Sequence, residues 1–173
     1  MRLRFTGRRA PSLPRDVADR VGGRALAFVE AQGTWLVGTR GELVVLTPRD
    51  ERRIPWEQVE GADWDRELSR LRVTEVGVFG EPRPSHVFAL ADLEPALLLQ
   101  LVRERVTASV VLQRGVLVSG KRGLKVIGRR SPVGGPISWM HEYDAGIDPD
   151  DPEVAAVAAT LLRQAREDVG DLD

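Results

Sequence analysis

Between Arg24 and Asp50 the chain carries three short apolar runs: RALAFVEA, TWLVGT and ELVVLT. Gln32-Gly33 and Arg40-Gly41 divide them, and Pro48-Arg49-Asp50 closes the last. Runs of this kind, at ~8–12-residue spacing and punctuated by Gly or Pro, read as strands of an antiparallel meander. The pattern continues. Ile54 and Trp56 flank Pro55 at period two, and proline has no N–H to give a ladder, so this piece belongs at a sheet edge or a strand start. Ala62 and Trp64 alternate again, DRELS supplies a turn, and LRVTEVGVF and SHVFALA supply further strands. A change of phase near Glu75, which sets Val76 and Val78 against Val73, predicts a bulge. Trp56 is expected to point inward with Ile54, and Trp64, between Asp63 and Asp65, to be only partly buried.

At Asp92 the period changes. Asp92 as N-cap, with Glu94 and Pro95 in the first turn, predicts a helix ending near Thr107. Its apolar face is Leu93, Leu97, Leu98, Leu101 and Val102. Such a helix would plug a bent sheet, with Leu97 and Leu101 sealing the interior that Ile54 and Trp56 share. Ahead of the strands, residues 1–23 form a basic arm, and residues 17–24 make a helical turn ended by Gly22-Gly23. After the helix, SVVLQRGVLVSGKRGLKVIGRR predicts a strand and a hairpin with SGKRG at its tip, and ISWMHEY one more strand. DPDDPEVAAVAATLLRQAREDVG predicts an amphipathic helix. Asp150 and Glu153 have capping-box spacing and Pro152 falls in the first turn. Val154, Val157, Ala158, Leu161, Leu162 and Ala165 form its stripe, and Gly170 ends it.

About six strands followed by one helix, with TWLVGTRGELVVLT leading into R-x-I-P-W-x-x-V, resemble bacterial pleckstrin-homology-like domains over roughly residues 24–107. The whole chain, through VRERVTASVVL and DPDDPEV, is similar to conserved proteins of high-GC bacteria. The resemblance implies an α+β, mainly β fold: a bent antiparallel sheet or partly open barrel closed by a helix. Residues 108–173 then form a β-hairpin and terminal-helix extension packed on the same unit. It implies no catalytic residue and no cofactor. The members that bind phosphoinositides use a basic first loop, whereas EAQGT here holds Glu30 and no base.

Composition narrows function mainly by exclusion. With no cysteine among 173 residues, neither a disulfide framework nor a thiolate metal site can form. No apolar run approaches the ~20 residues of a membrane span, nor does the start hold a signal-peptide core, so a cytoplasmic protein without membrane insertion is expected. Gly115, Gly120 and Lys121 match G-x-x-x-x-G-K, but Arg122 stands where a phosphate loop needs a hydroxyl, and strand formers fill the middle. HEYD lacks the second histidine of a zinc helix, and DPDDPE lacks the glycine of a calcium loop. His86 reads as a surface or hydrogen-bonded histidine. Net charge is -1, yet it is segregated, with a basic stretch over 103–130 and ten acids over 141–173. Arg114, Lys121, Arg122, Lys125, Arg129 and Arg130 are therefore candidate anion or nucleic-acid contacts. The leading expectation is a non-enzymatic binding or scaffold module that meets another protein by a sheet edge or the last helix. The alternatives are nucleic-acid contact through the basic hairpin and an enzyme or small-ligand site. The terminal stripe packs on its own domain in the preferred reading, or pairs two copies into a homodimer.

Overall fold

Local chemistry sets the first sheet. The computed structural model describes residues 12–77, 82–90 and 95–171. Residues 1–11 of the basic arm, Val78, and the Asp92 cap with Leu93 and Glu94 lie outside that range. α1 (Arg15–Val21) stops at Gly22, which adopts the left-handed conformation that glycine tolerates. β1 (Ala27–Ala31), β2 (Thr34–Gly38), β3 (Glu42–Leu46) and β4 (Glu51–Pro55) follow as successive antiparallel hairpins in the order β1-β2-β3-β4. Gln32 and Gly33, both at positive φ, make the first turn. Val29, Leu36, Leu43, Val45 and Ile54 face the main core. Val37, Val44 and Leu46, on the other face, pack against Val17 and Val21 of α1. A sheet covered on both sides loses its polar alternation, which is why ELVVL reads as one apolar run. α1 is also tied down by hydrogen bonds: Arg20 donates to Thr47 O at 2.8 Å, and Arg53 donates to Arg20 O at 3.0 Å.

Pro55 lies on the edge strand, and the chain then leaves the sheet through a 3₁₀ turn, Trp56–Gln58. That turn drives Trp56 into the core at 0 % exposure, where its Nε1–H donates to Thr39 O at 3.0 Å. The indole is thus buried with its one donor satisfied. A second antiparallel sheet follows, of β5 (Val59–Asp65), β6 (Arg70–Glu75) and β7 (Ser85–Ala89) in the order β5-β6-β7. The irregularity expected near Glu75 falls on the strand opposite, where the register shifts between Val59 and Gly61. Among the described residues the two sheets stay separate and form no closed barrel.

α2 (Ala96–Ser109) packs against β1, β2, β5 and the 3₁₀ turn. Leu98, Leu101 and Val102 enter the core beside Ile54 and Trp56. Leu97 does not seal it; it is 72 % exposed. One residue is about 100° around a helix, so with Leu98 at the centre of the buried arc, Leu97 turns out to solvent.

The third sheet begins where α2 ends: β8 (Val110–Ser119), β9 (Arg122–Arg129) and β10 (Ser138–Tyr143), ordered β10-β9-β8. α3 (Pro152–Val169) lies across β8 and β9. Its N-cap is Asp151, not Asp150: the Asp151 carboxylate accepts from the N–H groups of Glu153 and Val154 at 2.8 and 3.3 Å. Val154, Ala158, Leu161 and Ala165 pack with Leu124, Val126 and Ile147 in a cluster of their own, backed by Trp139 and Tyr143. The terminal stripe therefore covers the third sheet and not the first two. Among the described residues the whole is α+β and mostly β, with ten strands in three antiparallel sheets and three α-helices. No helix among them is long and apolar enough to cross a membrane.

Candidate functional site

On β5 and β6 the strand period of two sorts the side chains. Trp64 and Leu71 are cross-strand partners that pack in or against the main core. On the opposite face Asp63 pairs in register with Arg72, and Asp65 with Arg70. Arg72 is in turn beside Val87 of β7. The turn between β5 and β6 adds Leu68, whose N–H donates to the Asp65 carboxylate at 2.9 Å. Together Asp63, Trp64, Asp65, Leu68, Arg70, Arg72 and Val87 line a cleft of about 460 Å³. Leu68 and Val87 are exposed large apolar side chains within it. Trp64 Nε1 is buried and has no hydrogen-bond partner among the described residues. The cleft thus combines apolar contact area with carboxylates and guanidiniums, groups that orient a ligand by hydrogen bonds of either sense.

Three charged clusters elsewhere serve structure. Glu75 Oε1 receives both His86 Nε2 and Arg52 Nη2 at 2.6 Å, which ties β4 of the first sheet to β6 and β7 of the second. His86 is accordingly the hydrogen-bonded histidine expected. At the junction of second and third sheets, Arg83 reaches Glu60 at 2.6 Å and Glu142 at 3.8 Å. Arg53 is held between Glu42 and Glu51, whose hydrogen bonds raise its pKa above the usual value. Among the described residues no three His, Asp or Glu side chains converge to hold a metal.

The six basic candidates do not gather on one face. Arg129 is only 8 % exposed and donates to Val59 O at 2.8 Å, so it joins the third sheet to the second. Burial lowers its pKa, against the opposing pull of Glu60 and Glu142. Arg114 is bound to Asp168 at 2.9 Å, and Lys125 lies 3.8 Å from Glu142. Arg122 donates to Ala145 O at 3.4 Å. Lys121 and Arg130 are exposed, at opposite ends of β9, ~30 Å apart at ~3.3 Å per residue. Of the six, only Arg114 and Lys125 meet acids of the C-terminal part among the described residues; Arg122 and Arg129 are spent on backbone carbonyls. The cleft was missed in the sequence, although DWDRELSRLR does show the period-two alternation of acids and then arginines that builds it.

Compared with protein-family models, with curated proteins and with solved structures, the chain matches none.

Proposed function

We propose that this chain is a non-enzymatic protein-binding module of the pleckstrin-homology-like kind, and that the cleft on the second sheet is its contact surface. Support for the fold reading is the order of elements: a four-stranded antiparallel sheet, a three-stranded one, then a helix against both. The binding reading is carried by one observation, the exposed Leu68 and Val87 beside Asp63, Asp65, Arg70 and Arg72 in a cleft of about 460 Å³. Apolar area flanked by both signs of charge suits a peptide segment with one apolar anchor and charged neighbours, since the anchor supplies affinity and the charges fix its orientation. The test is a random peptide library selected on the full chain, with affinities of the winners measured by titration. Replacing Leu68 and Val87 together by Glu should weaken them at least about tenfold, ~1.4 kcal/mol. Leu97→Glu, at an exposed site on α2, should leave them unchanged. Selected peptides indifferent to the cleft substitutions, or no selected peptide at all, would refute the assignment.

A further inference from the structure

β8 ends the third sheet, and its outer edge pairs with no strand among the described residues. Two other edges are blunted. β4 carries Glu51, Arg52, Arg53 and Pro55, while β7 has five residues and follows Pro82 and Pro84. Charge, proline and shortness are the usual means of refusing a further strand. β8 has ten residues, no proline and no lysine; it is regular from Leu112 to Leu117, between two register shifts, and its single charge, Arg114, is already bound by Asp168. Leu117 stands largely exposed on it. Beside the edge runs a groove of about 370 Å³ lined by Val116, Ala156, Val157, Thr160, Leu161 and Gln164.

The order of residues along β8 says what fits there. Val110-Val111-Leu112, Gln113-Arg114-Gly115, Val116-Leu117-Val118 has the same polarity pattern read in either direction about Arg114. Two copies paired antiparallel about Arg114 would set Leu112 opposite Val116 and Gln113 opposite Gly115, all within the regular stretch Leu112–Leu117. A two-fold axis normal to the sheet keeps each side chain on its own face, so the α3 side of one copy continues into the α3 side of the other. Such self-complementarity is what a two-fold interface requires, whereas a foreign strand has no need of it. The two Arg114 side chains meet at the axis, each neutralised by its own Asp168.

The helix layer agrees. Strands lie ~4.8 Å apart, and α3 lies across β8 and β9. Two α3 helices flanking a β8–β8 pair would therefore stand ~10 Å apart, the distance at which helices pack. Ala156, Thr160 and Gln164, exposed at i, i+4 and i+8, face that gap. We propose that the chain forms a homodimer in which two β8 strands pair antiparallel about Arg114, giving a continuous six-stranded sheet with both α3 helices on one face. This stands on the third sheet alone and does not depend on the cleft of the second.

The chain has no cysteine, so Arg114→Cys introduces one thiol. In the proposed pair the two Cα atoms lie ~4.5–5.5 Å apart, within disulfide reach. Mild oxidation of the full chain should convert most of Arg114→Cys to covalent dimer, and little of Lys121→Cys at the hairpin tip. Light scattering at about 100 µM should give twice the 19.1 kDa chain mass for the unaltered protein and the single mass for Thr160→Glu. Thr160 is exposed in the single chain, so circular dichroism of that variant should be unchanged. A single-chain mass for the unaltered protein, a dimer that survives Thr160→Glu, or equal cross-linking at 114 and 121 would each overturn the proposal.

Discussion

Trp56→Ala tests the packing on which the first two sheets depend. The indole is 0 % exposed and its N–H is satisfied by Thr39 O. It touches both the helix and the sheet: a side-chain carbon built on Gly38 would meet Leu101 and lie 3.4 Å from the Trp56 ring. Truncation removes the buried surface and leaves a cavity between rigid elements, which costs about 3–5 kcal/mol. Thr39 O also loses its indole partner, and an orphaned buried acceptor costs about 1–3 kcal/mol. Part of that is already contained in measured truncation values, so the expected total is ~4–5 kcal/mol. Against the ~5–15 kcal/mol of a native domain this is a large fraction. With a urea m-value of ~2 kcal/mol/M, the midpoint should fall by about 2 M. Urea titration followed by circular dichroism measures it, since the remaining Trp35, Trp64 and Trp139 alter the fluorescence baseline. Trp56→Phe should keep most of the apolar contact and fall by about half as much. Trp64→Ala, at a half-buried site, should cost less than Trp56→Ala. A Trp56→Ala midpoint within about 0.5 M of the unaltered protein, or above that of Trp64→Ala, would refute the reasoning that this ring joins helix to sheet.

Three further outcomes are expected. Gly123→Ala should destabilise by at least about 3 kcal/mol in thermal or urea unfolding, because a side-chain carbon there would overlap the Val116 carbonyl, which is backbone and cannot step aside. Asp151→Ala should cost ~1 kcal/mol by loss of the α3 cap, while Asp150→Ala should cost clearly less, and urea midpoints of the two variants separate them. Tyr143 is the only tyrosine, so phenolate absorbance reports it alone. Burial first, then Asp150, raises its pKa above the ordinary 10.0. The folded state therefore holds the phenol proton more tightly than the unfolded chain. That stabilisation is present below pH ~10 and is lost as pH rises through the folded pKa. The absorbance midpoint should lie above that of free tyrosine, and Tyr143→Phe should hold its stability to higher pH.

The meander, its turns and the inward Trp56 could be read from the chain because their signals are local. A Gly at positive φ, a proline without an N–H and a period of two act within a few residues. The same holds for α3, whose stripe and closing Gly170 stand as expected, although the cap moved by one residue to Asp151 because adjacent aspartates offer the same chemistry. What needed coordinates was which surface meets which. Leu97 and Leu98 are alike in sequence, and only the docking angle of α2 decides that one is buried. Likewise Arg129 looks like its neighbours Lys125 and Arg130 until β9 turns it toward Val59 O.

The sequence by itself thus determined the elements, their approximate limits and the apolar face of most of them. Backbone sterics and hydrophobic periodicity require no distant partner. Only the tertiary structure decided that α3 covers a third sheet, that the basic residues of the hairpin are dispersed among different partners, and that Leu68 and Val87 share a cleft. Each depends on residues far apart along the chain coming within a few ångströms, and burial and ion pairing belong to that approach rather than to any residue alone.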